Sequence, residues 1–130
     1  KEGASLFTQV AEMQKIRYGD QHLTVAITLA CLADAHEKLG NTRSAIKSYE
    51  EALRIRTSAL GKSHLDVGRL THKLARLASD QGEYRLAETY ANRASETYRA
   101  NKLPLNHLFL IEMARDKADI QAGLVFSNNT

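Results

Sequence analysis

The sequence contains few of the residues that mark whole classes of proteins. Its 130 residues include a single cysteine, Cys31, which excludes an internal disulfide framework and a multi-cysteine zinc site. One proline, seven glycines and no tryptophan favour helices over strands. Apolar runs are only a few residues long, so no segment predicts a membrane-spanning helix, and the N-terminal stretch has no signal-peptide core. A soluble, helical chain is therefore expected.

Charge of one sign is not in large excess either. The chain carries 18 lysine and arginine residues against 15 aspartate and glutamate residues, for a formal net charge of +3, and the two signs are interspersed. This pattern gives little support for binding to nucleic acid or to a membrane surface. Any charge that serves a function must therefore be concentrated on one face by the fold.

An internal repeat dominates the sequence. The segment 19–25 (GDQHLTV) matches the segment 61–67 (GKSHLDV), which follows it by 42 positions. The N-terminal stretch joins the series as though it began in the second half of a repeat. Matches at one fixed spacing predict a repeat architecture. The other matching pairs are Leu32 and Leu74, Ala33 and Ala75, Gly40 and Gly82, Ala45 and Ala87, and Ala52 and Ala94.

Each repeat predicts two helices, because its apolar residues recur at helical spacing. Gly40 and Gly61 supply the turns that end the helices of the first repeat. Thr24 and Asp66 occupy equivalent sites at helix starts and are predicted N-caps. The predicted helices cover about residues 24–39, 42–60, 66–81, 83–100 and 106–121.

The pattern of small and large apolar residues resembles the tetratricopeptide repeat. The repeat length and the Gly-x-x-His turn are similar to those of the kinesin light chain subtype, although Leu23 and Leu65 replace the proline of that turn. Thr71 and Ala91 stand where bulkier residues are usual, and Tyr90 is expected to supply the bulk that Ala91 lacks. The residues that carry the resemblance are Leu29, Leu32, Ala33, Gly40, Ala45, Tyr49, Ala52 and Leu53, then Leu74, Ala75, Gly82, Tyr84, Ala87 and Ala94.

The resemblance implies an all-α fold, a solenoid of helical hairpins wound as a right-handed superhelix with a concave groove. Residues 1–21 correspond to the second helix of a truncated upstream repeat, and full repeats cover 22–63 and 64–105. The 42-residue register is lost beyond them. Residues 106–126 are therefore expected to form either a capping helix or the first helix of a further repeat, followed by a tail at 127–130.

By the same resemblance, the first helices of successive repeats line the groove. Four of the groove positions in the second repeat recur at i, i+3, i+4 and i+7 and form a basic strip. Such a strip suits a partner segment that carries carboxylates, and a solvated helix face is the alternative interpretation. The candidate partner-binding residues are Ile27, Ala30 and Asp34 in the first repeat, and Arg69, His72, Lys73 and Arg76 in the second. Cys31 and Lys38 lie on the same face as the first three.

No catalytic or metal-binding motif is present in the sequence. His22 and His64 repeat at the turn between repeats, which indicates a packing or turn role rather than a metal site. Cys31, Asp34 and His72 could form a nucleophilic group only if an oxyanion hole were available, and regular helices have no free backbone N–H groups in mid-length. A non-enzymatic chain without cofactor or metal is therefore expected.

The fold and the basic strip favour a protein–protein interaction module, an adaptor or scaffold that binds an acidic partner peptide in the concave groove. A self-associating structural scaffold, which would use exposed solenoid ends or helix faces, is the alternative, and an RNA-binding helical repeat is a third and less favoured class. Protein partners are expected, without a membrane. The free cysteine and the missing signal segment favour the cytoplasm, with the cytoskeleton as a second possible location.

Overall fold

The computed structural model describes residues 2–128, which form six α-helices and no strand. The helices are α1 (Glu2–Tyr18), α2 (Leu23–Lys38), α3 (Thr42–Leu60), α4 (Leu65–Asp80), α5 (Tyr84–Ala100) and α6 (Leu108–Asn128). The predicted all-α class of helical hairpins is thereby confirmed. The chain divides into two compact units, unit 1 (Lys1–Gly61) with α1 to α3 and unit 2 (Lys62–Thr130) with α4 to α6.

The helix bounds follow the periodicity closely except at the C-terminal end. The helix predicted to start at 106 and end at 121 instead runs from Leu108 to Asn128. Ser127 and Asn128, which were predicted to belong to the tail, are therefore part of α6. Residues 129 and 130 of the predicted tail lie outside the described residues.

Histidines, and not the predicted residues, cap the first helix of each repeat. The ring Nδ1 of His22 accepts a hydrogen bond from the backbone N–H of Thr24 at 3.0 Å. His64 does the same for Asp66 at 3.1 Å. The prediction of Thr24 and Asp66 as N-caps is wrong because the preceding histidines satisfy the free N–H groups that a helix start exposes.

Helix α6 begins in the same way as α2 and α4. The Nδ1 atom of His107 accepts from the N–H of Phe109 at 3.1 Å. His107 follows His64 by 43 positions, whereas His64 follows His22 by 42. The register at the start of α6 is thus shifted by one residue, and the shared His-Leu pair at 22, 64 and 107 was the signal for it.

In unit 1, α2 packs against both α1 and α3. Ala33 of α2 and Ala45 of α3 are fully buried, and such small residues let helices approach closely. Two polar contacts add to this apolar packing. The Thr28 hydroxyl donates to Oε1 of Gln14 at 2.6 Å, and Lys15 forms an ion pair of 3.1 Å with Glu51 that joins α1 to α3.

In unit 2, α4 and α5 form the corresponding hairpin, and α6 packs on both of them. Thr71 fits its buried position because its hydroxyl donates to the carbonyl of Val67 at 2.7 Å. Tyr90 is buried beside the small Ala91, which confirms that Tyr90 supplies bulk in the core. The departures from the family pattern therefore do not interrupt the packing.

Two glycines inside helices mark close approaches in unit 2. A Cβ atom added at Gly68 would lie 2.7 Å from Cγ2 of Thr97, so α4 and α5 are in contact there through the glycine backbone. A Cβ atom at Gly123 would overlap the ring of Tyr84. The Tyr84 ring thus packs directly on the backbone of α6, at a position where no other residue type fits without movement.

Candidate partner-binding surfaces

Unit 1 contains a recess of about 560 Å³ between its three helices, open to solvent on one side. Three of the predicted binding residues, Ile27, Ala30 and Asp34, lie on its wall. The other lining residues come from all three helices, and they are Phe7, Cys31, Ala35, Lys38, Tyr49 and Arg56.

The floor of the recess is apolar and its rim is charged. Tyr49 is buried, and burial together with the neighbouring Glu37 raises the pKa of its phenol, which therefore stays neutral. On the rim, Lys38 forms an ion pair of 3.2 Å with Asp34, and both side chains are exposed. Arg56 adds a further positive charge to the lining. A ligand would meet an apolar surface with a positive charge beside it.

The predicted basic strip on α4 is partly covered by α6. The guanidinium of Arg69 lies 3.7 Å from the ring centroid of Phe109, a cation–π contact. The same group is 3.3 Å from Oε1 of Glu112 and donates to the hydroxyl of Tyr98 at 3.1 Å. Arg69 was predicted to face the groove, and the structure instead places it against α6.

His72 is buried between three helices, with a relative exposure of 3%. Its Nε2 atom lies 2.7 Å from Oδ2 of Asp116 and its Nδ1 atom 2.8 Å from the hydroxyl of Tyr98. Burial lowers the pKa of the ring, although the hydrogen bond to Asp116 acts in the opposite direction. The prediction that His72 faces the groove and binds a partner there is therefore corrected, because α5 and α6 cover its ring.

The remaining two members of the strip differ in exposure. Arg76 is exposed and Lys73 is half-buried, both on α4. The seven predicted residues thus fall into three groups: three at the recess of unit 1, two held against α6, and two on the accessible side of α4.

Sequence analysis missed the aromatic residue and the two acidic residues of α6 that meet the strip. Phe109, Glu112 and Asp116 are spaced i, i+3 and i+7 on α6 and share one face of that helix. Arg69 and His72 are spaced i and i+3 on α4. This complementary spacing of acidic and basic residues was the available signal.

Metal-binding groups and membrane-spanning helices are both absent from the described residues. Across residues 2–128, no three His, Cys, Asp or Glu side chains come together to hold a metal ion. No helix in that range has the length and apolar character needed to cross a bilayer. Cys31 is exposed, whereas His72 is bonded to Asp116 and Tyr98. The surfaces described above are those of a helical-hairpin repeat protein.

The tetratricopeptide repeat family matches residues 1–58 and 24–100, which together span most of the chain. The chain belongs to this family. Its repeats generally act as protein–protein interaction modules, and the fold is typically a non-enzymatic scaffold. No curated protein matches the chain significantly. The match ends at the end of α5, so it does not extend over α6.

Proposed function

We propose that this chain is a non-enzymatic adaptor that binds an extended segment of a partner protein, with the recess of unit 1 as the main contact. The observation that carries the proposal is the presence of Ile27, Ala30 and Asp34 together on the wall of one recess. Its volume of about 560 Å³ falls within the range of typical ligand sites. The recess is open to solvent. It therefore suits a side chain of a partner segment better than a small molecule that must be enclosed to bind.

The charges around the recess favour an acidic partner. Lys38 is already paired with Asp34, so Arg56 gives the lining its net positive charge. A guanidinium can bind a carboxylate through two parallel hydrogen bonds. The preferred partner segment therefore places an apolar side chain on the floor of the recess and an acidic residue next to it.

The strip on α4 contributes a second group of positive charges to the proposed function. Arg76 is its exposed member and Lys73 is half-buried, and both would contact acidic residues of a partner segment. Arg69 and His72 are expected to act indirectly, because both are engaged with α6. Binding through such exposed charges weakens as salt rises.

The proposal is tested by fluorescence-anisotropy titration of peptides that are acidic, aromatic and acidic, basic, or neutral, each at two salt concentrations. We expect salt-sensitive binding of the acidic members, and the tightest binding by those that also carry an aromatic residue. Arg56→Glu should weaken binding by about tenfold, or ~1.4 kcal/mol. The matched control is Arg43→Glu, which makes the same charge change at an exposed position outside the recess.

Cys31 offers an independent test of where the peptide binds. It is the only cysteine of the chain, is exposed and lines the recess. A bound peptide should slow its reaction with a thiol reagent, and the Arg56→Glu variant should lose this protection at the same peptide concentration. Equal reaction rates with and without a peptide that binds would exclude the recess as the binding site.

A self-associating scaffold is the second candidate function, and α1 provides the observation that favours it. Ile16 is 87% exposed and Met13 is 68% exposed, both on this one helix. The two residues lie three positions apart on one face of α1, and contiguous exposed apolar patches mark protein interfaces. If no peptide of the panel binds, a mass that increases with concentration in light scattering, and falls in the Ile16→Lys variant, would support this function.

A further inference from the structure

We propose that α6 is an exchangeable occupant of the α4–α5 hairpin. The surface around Arg69 and His72 recognises an amphipathic helix that carries phenylalanine, glutamate and aspartate at i, i+3 and i+7. It binds α6 of its own chain, and it takes α6 of a second copy when its own helix is displaced. This inference does not rest on peptide binding in the recess of unit 1, because none of the residues at the α6 interface line that recess.

Three contacts in a row define what the surface recognises. The Phe109 ring lies under the guanidinium of Arg69 at 3.7 Å, and Oε1 of Glu112 is 3.3 Å from the same group. One turn further along α6, Oδ2 of Asp116 is 2.7 Å from Nε2 of His72. An aromatic ring and two carboxylates at this spacing are thus matched to an arginine and a histidine one turn apart.

The polar groups of this interface satisfy one another. A neutral His72 ring with its proton on Nε2 donates to Asp116 and accepts from the hydroxyl of Tyr98 on Nδ1. Arg69 in turn donates to the oxygen of Tyr98 and to Glu112. A helix without the carboxylate of Asp116 would leave the buried ring N–H of His72 without an acceptor, which is costly. The surface therefore discriminates between helices.

A fourth position adds a steric requirement. The ring of Tyr84 occupies the space that a Cβ atom of residue 123 would need. The preferred helix therefore carries glycine 14 positions after its phenylalanine, as α6 does at Gly123. Buried Met113 and Ile120 supply apolar contact between these polar and steric features. The surface therefore requires more of a binding helix than acidic and amphipathic character alone.

Two features favour exchange of α6 over permanent docking. Arg69 and Glu112 keep side-chain exposures of 37% and 41%, so water reaches their ion pair and eases its separation. The connection from α5 to α6 contains Pro104 and has Lys102 at a φ of 54°, the one non-glycine residue with positive φ in the described chain. A strained connecting loop is a known condition for exchange of an element between copies.

The first test uses two charge-reversed variants of the full chain, Arg69→Glu and Glu112→Arg. Each variant alone places like charges at the α6 interface, both within a chain and between identical chains. When the two are mixed, α6 of the Arg69→Glu chain brings a natural Glu112 to the natural Arg69 of its partner. We expect each variant alone to be monomeric by light scattering and the mixture to contain a species of twice the chain mass.

The double variant Arg69→Glu with Glu112→Arg is the matched control, because it restores opposite charges within one chain. It should remain monomeric, with the helical content of the unmodified protein by circular dichroism. A mixture of single variants that stays monomeric, while the double variant is folded, would overturn the proposal.

The second test remains informative if a single variant is poorly folded. A labelled peptide with the sequence of residues 107–128 is titrated into the full chain and into its Glu112→Arg variant. We expect the variant to bind at least about tenfold more tightly, because in the unmodified chain α6 competes at an effective concentration in the millimolar range. A peptide that itself carries Glu112→Arg should not bind the unmodified chain or the variant. Equal binding of the natural peptide to both chains, or no binding to either, would show that the surface does not accept a second helix.

Discussion

The equivalent residues Ala26 and Gly68 lie at one position of the two repeats, 42 residues apart, and we expect replacement of either one by the other to destabilise the protein. Alanine is normally favoured over glycine inside a helix by about 1 kcal/mol. At Gly68, however, the added Cβ would lie 2.7 Å from Cγ2 of Thr97 and 3.0 Å from its Cβ. Both contacts are well below van der Waals distance, so α4 and α5 would have to separate.

The magnitude of the Gly68→Ala effect follows from these opposing contributions. Overpacking of a close contact costs about 1–3 kcal/mol, and the gain in helix propensity offsets about 1 kcal/mol of it. We therefore expect a net loss of about 1 kcal/mol in the free energy of unfolding, measured by urea titration with circular dichroism. In unit 1, the reverse change Ala26→Gly should also be destabilising, by about 1–2 kcal/mol, because a buried methyl group and helix propensity are both lost.

A second substitution isolates the contact with Thr97. Thr97→Ser removes the methyl group Cγ2 and keeps the hydroxyl that donates to the carbonyl of Lys62 at 3.0 Å. In the double variant, the new Cβ at 68 occupies the space of the missing methyl, so the two effects should not add, with a coupling of about 1–2 kcal/mol. The reasoning is refuted if Gly68→Ala stabilises the protein and its effect adds to that of Thr97→Ser.

Three further predictions follow from other features. Burial lowers the pKa of His72 below its unfolded value of 6.5. The neutral ring therefore contributes to stability above about pH 6.5, and this contribution is lost as the pH falls through the lowered pKa. The urea midpoint of the protein should fall on acidification, and it should fall less in the His72→Gln variant. The His64→Ala variant should lose about 1 kcal/mol of stability because the N-cap of α4 is removed. The His64→Ser variant should lose much less, since serine is also an effective N-cap. Thermal unfolding of both variants measures the difference. Gly61 has a φ of 92° and a ψ of 151°, so the Gly61→Ala variant should lose about 1–3 kcal/mol of stability. In the same assay, Gly3→Ala in α1 should leave the stability unchanged or increase it.

The repeat and its helices could be predicted because they depend on local spacing. The apolar positions of α2 to α5 recur at helical periods, and Gly40 and Gly61 mark helix ends through their positive φ values of 80° and 92°. The helix starts were misassigned because the preferred N-cap residues Thr24 and Asp66 directly follow the histidines that perform the role.

The candidate site could be predicted only where it depends on one helix. Ile27, Ala30 and Asp34 reach the recess because the face of α2 opposite its packed side is set by periodicity. The position of His72 depends instead on Asp116, 44 residues later, and on a one-residue shift in the start of α6. A contact of that sequence separation has no signature within a single repeat.

The arrangement of contacts in unit 2 also sets the order in which its parts can open. Helices α4 and α5 are consecutive and form an extensive hairpin, whereas α6 contacts that hairpin with one side and follows it in the chain. Detachment of α6 leaves the α4–α5 pair intact, but detachment of α4 also breaks the contacts of α6. Native-state hydrogen exchange of the α6 amides should therefore proceed through a local opening of lower free energy than that of the amides in α4 and α5. The protein would then have a folded form with α6 undocked, a distinct state between the native and unfolded chains.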